Sequence, residues 1–110
     1  MAGKFELKMT ESGKYMFNLK AGNGQIILVS QMYESKDSAE NGIESVRKNS
    51  ADDARFERKV AKNGEPFFSL TATNGQNIGK SETYSSESAM ENGVQSVKTN
   101  APDAEVVDNT

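Results

Sequence analysis

Residues 5–55 are written again as residues 56–106, with about 21 of the 51 aligned positions identical. The matches include Phe5/Phe56, Gly13/Gly64, Phe17/Phe68, Leu19/Leu70, Asn23/Asn74, Gln25/Gln76, Tyr33/Tyr84, Gly42/Gly93 and Val46/Val97. An internal repeat limits the fold more than any other feature of a chain, because like units bury like faces and the residues present twice mark what the unit needs. One copy alone is marginal at burying a core, whereas 110 residues suffice for a single domain with one modest core.

Within a copy, Phe5, Leu7 and Met9 alternate with Glu6, Lys8 and Thr10, the period of a half-buried strand, and Ser12-Gly13 supplies a turn. Alternation resumes through Tyr15, Phe17, Leu19 and Ala21. Gly22-Asn23-Gly24 is a turn that calls for positive φ, and residues 25–31 read as a third strand. After Tyr33 the period changes to about 3.6, with Ala39, Ile43 and Val46 on one face. A helix is predicted over 35–49, with Ser35 as N-cap, Asp37 in the first turn and Asn49 in a left-handed C-terminal position. Gly42 costs about 1 kcal/mol in a helix relative to Ala; its presence in both copies is read as a close approach of helix to sheet. The second copy predicts strands near 56–61, 66–72 and 76–82 and a helix near 86–100.

The repeat boundary carries topology. In register, Arg55-Phe56-Glu57 corresponds to Val106-Val107-Asp108, which follows the second helix. The strand at 55–61 is thus both the last of copy one and the first of copy two. No linker separates the copies, so one sheet in which each unit lends a strand to the other is expected, rather than two tethered domains.

Composition excludes several classes. The chain has no Cys and no His, which removes disulfides, thiol nucleophiles, ordinary zinc sites and Ser-His or Cys-His mechanisms. Thirteen basic and 16 acidic residues give a net charge of −3, spread along the chain, without the basic face that nucleic acid requires. Charges at Lys4 and Glu6 stand where a signal peptide needs an apolar run, and no segment has the length of an apolar membrane span, so a cytoplasmic protein is expected.

The pattern Gly13-Lys14-Tyr15-Met16-Phe17-Asn18-Leu19 through Asn23-Gly24-Gln25, then Ser30-x-x-Tyr33-x-Ser35 and Gly42-Ile43-x-Ser45-Val46-x-x-Asn49, recurs in copy two as Phe68 through Gln76, Ser81-x-x-Tyr84-x-Ser86 and Gly93 through Asn100. This combination resembles the YegP-like family of small bacterial and archaeal proteins. The resemblance implies an α+β fold of two β-β-β-α-β repeats sharing one antiparallel sheet of about eight strands, with terminal strands exchanged and two helices on one face. It brings no established activity, substrate, cofactor or catalytic residue.

Three candidate functions follow. Strand alternation sends Met16, Ile26 and Leu28, with Phe67 of copy two, to the face away from the helices, where they could meet a protein partner or a second copy of the chain. The first reading is therefore a non-catalytic interaction module. The second is a small-anion or metabolite sensor with duplicated sites at the strand-to-helix junctions, Ser30, Tyr33 and Ser35 in one copy and Ser81, Tyr84 and Ser86 in the other. The third, an enzyme, lacks a visible constellation: Asp52-Asp53 sits in a polar turn with nothing apolar to raise a pKa. No metal or cofactor is called for.

Overall fold

The computed structural model describes residues 3–110. Met1 and Ala2, the start of the run assessed above as a signal segment, lie outside them. The chain runs β1 (Lys4–Met9), β2 (Tyr15–Lys20), β3 (Ile26–Ser30), α1 (Lys36–Asn49), β4 (Phe56–Val60), β5 (Pro66–Thr71), β6 (Asn77–Lys80), α2 (Glu87–Asn100) and β7 (Glu105–Asp108). Gly13, Gly24, Gly64 and Gly75 take φ of 83 to 86° in the hairpin turns, a conformation that side chains resist. Ser35 and Ser86 cap the helices by accepting from the N–H groups of Ser38 and Ala89. Asn49 stays inside the last turn of α1, where its Nδ2 donates to the Ser45 carbonyl at 2.8 Å; no non-glycine residue among those described has positive φ, so the expected left-handed position is not used.

The strands form one sheet in the order β4-β5-β6-β3-β2-β1-β7. Among the described residues seven strands stand where about eight were expected, because β4 serves both repeats and is counted once. The sheet is mixed: β7 runs parallel to β1, pairing Lys4 with Glu105 and Leu7 with Asp108, while the other pairs are antiparallel. The strand that ends copy two therefore closes the free edge of copy one, as the exchange of terminal strands predicts.

Cross-strand partners share a face. Phe5 opposite Leu19, Leu7 opposite Phe17, and Phe56 opposite Leu70 all point toward the helices. There they join Ala39, Ile43 and Val46 of α1 and Met90, Val94 and Val97 of α2 in one core. Each such large side chain contributes about 1.5–3 kcal/mol on full burial. A pseudo-twofold axis passes between β3 and β6 at the Val29–Lys80 pair, for these two residues are repeat equivalents.

A further placement differs from the sequence reading. Between Leu19 and Lys20 the β2–β3 register shifts, with Leu19 opposite Leu28 but Lys20 opposite Ile26. The extra residue, Ile27, is a bulge, and it turns Leu28 onto the helix face. Leu28 is fully buried there, while Ile26 remains 39% exposed on the other face. Copy two repeats the bulge, with Leu70 opposite Gly79 and Thr71 opposite Asn77.

Candidate functional site: two composite clefts

Each repeat builds an aromatic column. Phe17 meets Phe5 edge-on at 5.8 Å between centroids, and Tyr33 stacks on Phe17 at 6.2 Å with 12° between planes. Phe56, Phe68 and Tyr84 repeat the arrangement. The top of the column explains the helix glycine: a Cβ on Gly42 would stand 2.5 Å from Tyr33 Oη and 3.0 Å from Phe17 Cε2. The close approach read from sequence is to this tyrosine. Gly93 stands in the same relation to Tyr84 and Phe68. Burial pushes both tyrosine hydroxyls above their ordinary pKa, so they stay protonated and able to donate near neutrality.

Beside each tyrosine lies a cleft. The first, about 240 Å³, is lined by Gln31, Tyr33, Ser38, Asn41, Gly42 and Ser45 from repeat one and by Ala72, Asn74, Gln76, Asn77 and Ile78 from repeat two. The second, about 320 Å³, is lined by Ala21, Asn23, Gln25 and Ile27 from repeat one and by Tyr84, Ala89, Asn92, Gly93 and Ser96 from repeat two. Each cleft thus joins the helix of one repeat to the β-turn of the other. Eight lining positions are identical in the two clefts: Ala21/Ala72, Asn23/Asn74, Gln25/Gln76, Ile27/Ile78, Tyr33/Tyr84, Asn41/Asn92, Gly42/Gly93 and Ser45/Ser96.

Some of these have duties inside their own unit. Asn23 and Asn74 close the turns by accepting the N–H of Gln25 and Gln76 at 3.0 Å. Ser45 and Ser96 accept from Asn49 and Asn100 at 3.2 Å, within their own helices. Asn41, Asn92 and the Gln25 amide make no hydrogen bond to another described side chain. No charged residue lines either cleft. The surface offers hydroxyls and carboxamides, donors and acceptors together, over an apolar floor of Ala, Gly and Ile.

The residues singled out in the sequence are distributed otherwise. Ser30 accepts the Phe17 N–H at 2.9 Å and donates to the Gln31 carbonyl at 2.7 Å; Ser81 does the same with Phe68 and Glu82. Each hydroxyl gives its one proton to the next residue's carbonyl and accepts an N–H from the neighbouring strand. Ser35 and Ser86 are exposed caps. Of each Ser-Tyr-Ser set only Tyr33 or Tyr84 lines one of these two clefts, so the three hydroxyls do not converge there. On the open face Met16 and Phe67 belong to β2 and β5, with β3 and β6 between them. At a strand spacing of about 4.8 Å they stand at least about 14 Å apart. With Leu28 on the other face, the four apolar residues do not form one patch.

The cleft residues carried a sequence signal, since they were among the polar residues written twice. What single copies could not show is that the partner of each helix is the turn of the other copy.

Residues 11–57 and 61–108 match a family described as a domain of unknown function, DUF1508. A UPF0339 protein of Bordetella pertussis is 57% identical over 110 residues, covering all of this chain and 98% of its own. The solution NMR structure of a UPF0339 protein from Shewanella oneidensis is similar at a TM-score of 0.93 and 46% identity, covering 98% of this chain and 92% of that one. That of yegP from E. coli, titled a protein of unknown function, gives 0.95 and 49%, covering 100% and 95%. With both of its repeats matched and relatives alike over their whole length, the chain belongs to the UPF0339 family of two-repeat DUF1508 proteins.

Proposed function

We propose that this protein is a non-catalytic binding module whose two clefts each take a small, neutral, hydrogen-bonding molecule such as a polyol, a sugar or an amide. The observation that supports this reading is the identity of eight lining residues in clefts that exist only across the repeat boundary. A residue kept solely to fold its own unit finds its partners there. Asn41, Asn92 and Gln25 instead face a cleft without a side-chain partner in their own unit, and Gln76 faces one while accepting from Asn74 at 3.5 Å. The absence of a cation from both linings disfavours the small-anion version of a sensor, because an anion stripped of water needs a compensating charge. The volumes lie at or below the small end of ligand pockets, which favours a small ligand.

The test is an amide chemical-shift titration of the isotopically labelled chain against polyols, sugars and small amides. Saturable shifts around Asn41 and Gln76, and around Asn92 and Gln25, with two equivalents per chain, are expected. Asn41→Ala removes one equivalent and Asn92→Ala the other. Titration of the whole panel without shifts at either cleft overturns the reading. The open face supports a protein-binding role less well, since its apolar residues are dispersed.

A further inference from the structure

The two repeats offer two equivalent sheet edges, β1 and β4, yet the described residues hold one strand to cover them. By the repeat register β7, residues 105–108, corresponds to residues 54–57, and Phe56 and Glu57 of that segment are already the start of β4. Hence β7 covers β1, and the matching place beside β4 has no strand among the described residues.

The open edge is formed as an acceptor. Ala61 N–H is turned inward to the Glu65 carbonyl at 2.8 Å, so alternation turns the backbone groups of Phe56, Arg58 and Val60 outward. On β1 the equivalent Leu7 carbonyl accepts from Asn109 of the docked segment at 2.8 Å. Phe, Glu and Lys occupy the same places in both edge strands, at Phe5, Glu6 and Lys8 and at Phe56, Glu57 and Lys59. A groove of about 460 Å³ runs beside β4, lined by Arg58, Lys59, Val60, Pro66, Glu87 and Met90 among others.

Two exchanges set the charge of this place. In repeat one Lys36, at the start of α1, holds Asp108 of the docked strand. Its equivalent in repeat two is Glu87, which has no ion-pair partner among the described residues. Arg58 stands where β1 has Leu7, and its guanidinium is already bound by Asp53 at 3.0 Å and Glu91 at 2.8 Å. Lys59, also in the lining, stands 3.5 Å from Glu57, so the charge of the groove left without an ion pair is that of Glu87, the reverse of Lys36 in repeat one.

We infer that β4 is a docking edge for an extended segment of another protein. The segment adds in parallel, as β7 does to β1, and carries two β-branched apolar residues followed by Lys or Arg where β7 has Asp108. Backbone hydrogen bonds supply the attachment and the basic residue the selectivity.

Two synthetic peptides test this against the full labelled chain: Ala-Glu-Val-Val-Asp-Asn-Thr, the chain's own sequence at 104–110, and its counterpart with Lys in place of Asp. The Lys peptide is expected to shift the amides of Phe56, Arg58, Val60 and the first turn of α2, and to bind about fivefold more tightly than the Asp peptide, the scale of one exposed ion pair gained and one repulsion removed. Glu87→Lys reverses that preference. The inference is overturned if neither peptide shifts the β4 amides, if the shifts fall on β1 and β7 instead, if the Asp peptide binds as well as the Lys peptide, or if Glu87→Lys leaves the preference unchanged. These shifts are separate from those at the clefts, so the two readings stand or fall independently.

Discussion

Leu28 and Gly79 hold the same position in the two repeats and meet beside the pseudo-twofold axis. A Cβ on Gly79 would stand 3.2 Å from Leu28 Cγ and 2.8 Å from the Val29 carbonyl oxygen. One fully buried leucine fills the space that two equivalent side chains would otherwise contest. Overfilling a tight core costs about 1–3 kcal/mol, so Gly79→Ala is expected to lower stability in that range, and Leu28→Ala, which leaves a cavity, by about 2–5 kcal/mol. Urea unfolding measures both; an unchanged midpoint in Gly79→Ala contradicts the steric account.

Gly42 and Tyr33 make a second steric pair. In an unobstructed helix Gly→Ala stabilises by about 1 kcal/mol. Here the added carbon meets Tyr33 and Phe17, both held in the aromatic column. Gly42→Ala is expected to destabilise the native chain, and to do so less once Tyr33→Ala has removed the nearer contact and left only that with Phe17. A thermodynamic cycle of the two substitutions reads this coupling; an equal cost in both backgrounds removes Tyr33 as a cause.

Acid should act on one surface cluster. Asp53 accepts from Arg58 at 3.0 Å and from Lys98 at 2.6 Å. Hydrogen bonds from Arg58 and then Lys98 lower its pKa to about 2. A carboxyl with a depressed folded-state pKa contributes stability that is present above its unfolded value, about 3.9, and is lost as pH falls through the folded one. The window therefore runs from about pH 4 to about pH 2. A carboxyl-carbon NMR titration of Asp53 checks the midpoint, and Asp53→Asn should flatten the dependence of stability on pH in that window. A midpoint near 4 sinks the assignment.

Removing residues 105–110 uncovers β1. The truncated chain loses the parallel ladder and the Lys36–Asp108 ion pair, and it presents a free edge bearing Phe5 and Leu7. Such edges pair between molecules. Lower stability with concentration-dependent association is expected from thermal unfolding and sedimentation, and the peptide of residues 104–110 should reverse both. A truncated chain that remains monomeric and equally stable contradicts the role given to β7.

The alternation of Phe5, Leu7, Phe17 and Leu19 and the helical spacing of Ala39, Ile43 and Val46 made the elements legible, and the register made the shared strand legible. Ile26-Ile27-Leu28-Val29 offered no alternation to follow, so the bulge that turns Leu28 inward left no mark in copy one. The changed spacing became readable only when Leu19 and Lys20 were seen opposite three residues rather than two. The direction of β7 was hidden for another reason: four residues of strand carry no vector, and only the path of α2 over the sheet decides it. The clefts lay between these cases. Asn41, Gln76 and Tyr33 were visible as repeated residues, but their meeting depends on how α1 crosses the axis, which is a tertiary fact.

Because each cleft takes its helix from one half of the gene and its turn from the other, duplication did not leave the chain with a spare copy free to drift. A change at Gln25 alters the cavity beneath α2, and a change at Gln76 alters the one beneath α1. Each half answers for part of both cavities, and neither can specialise without its twin.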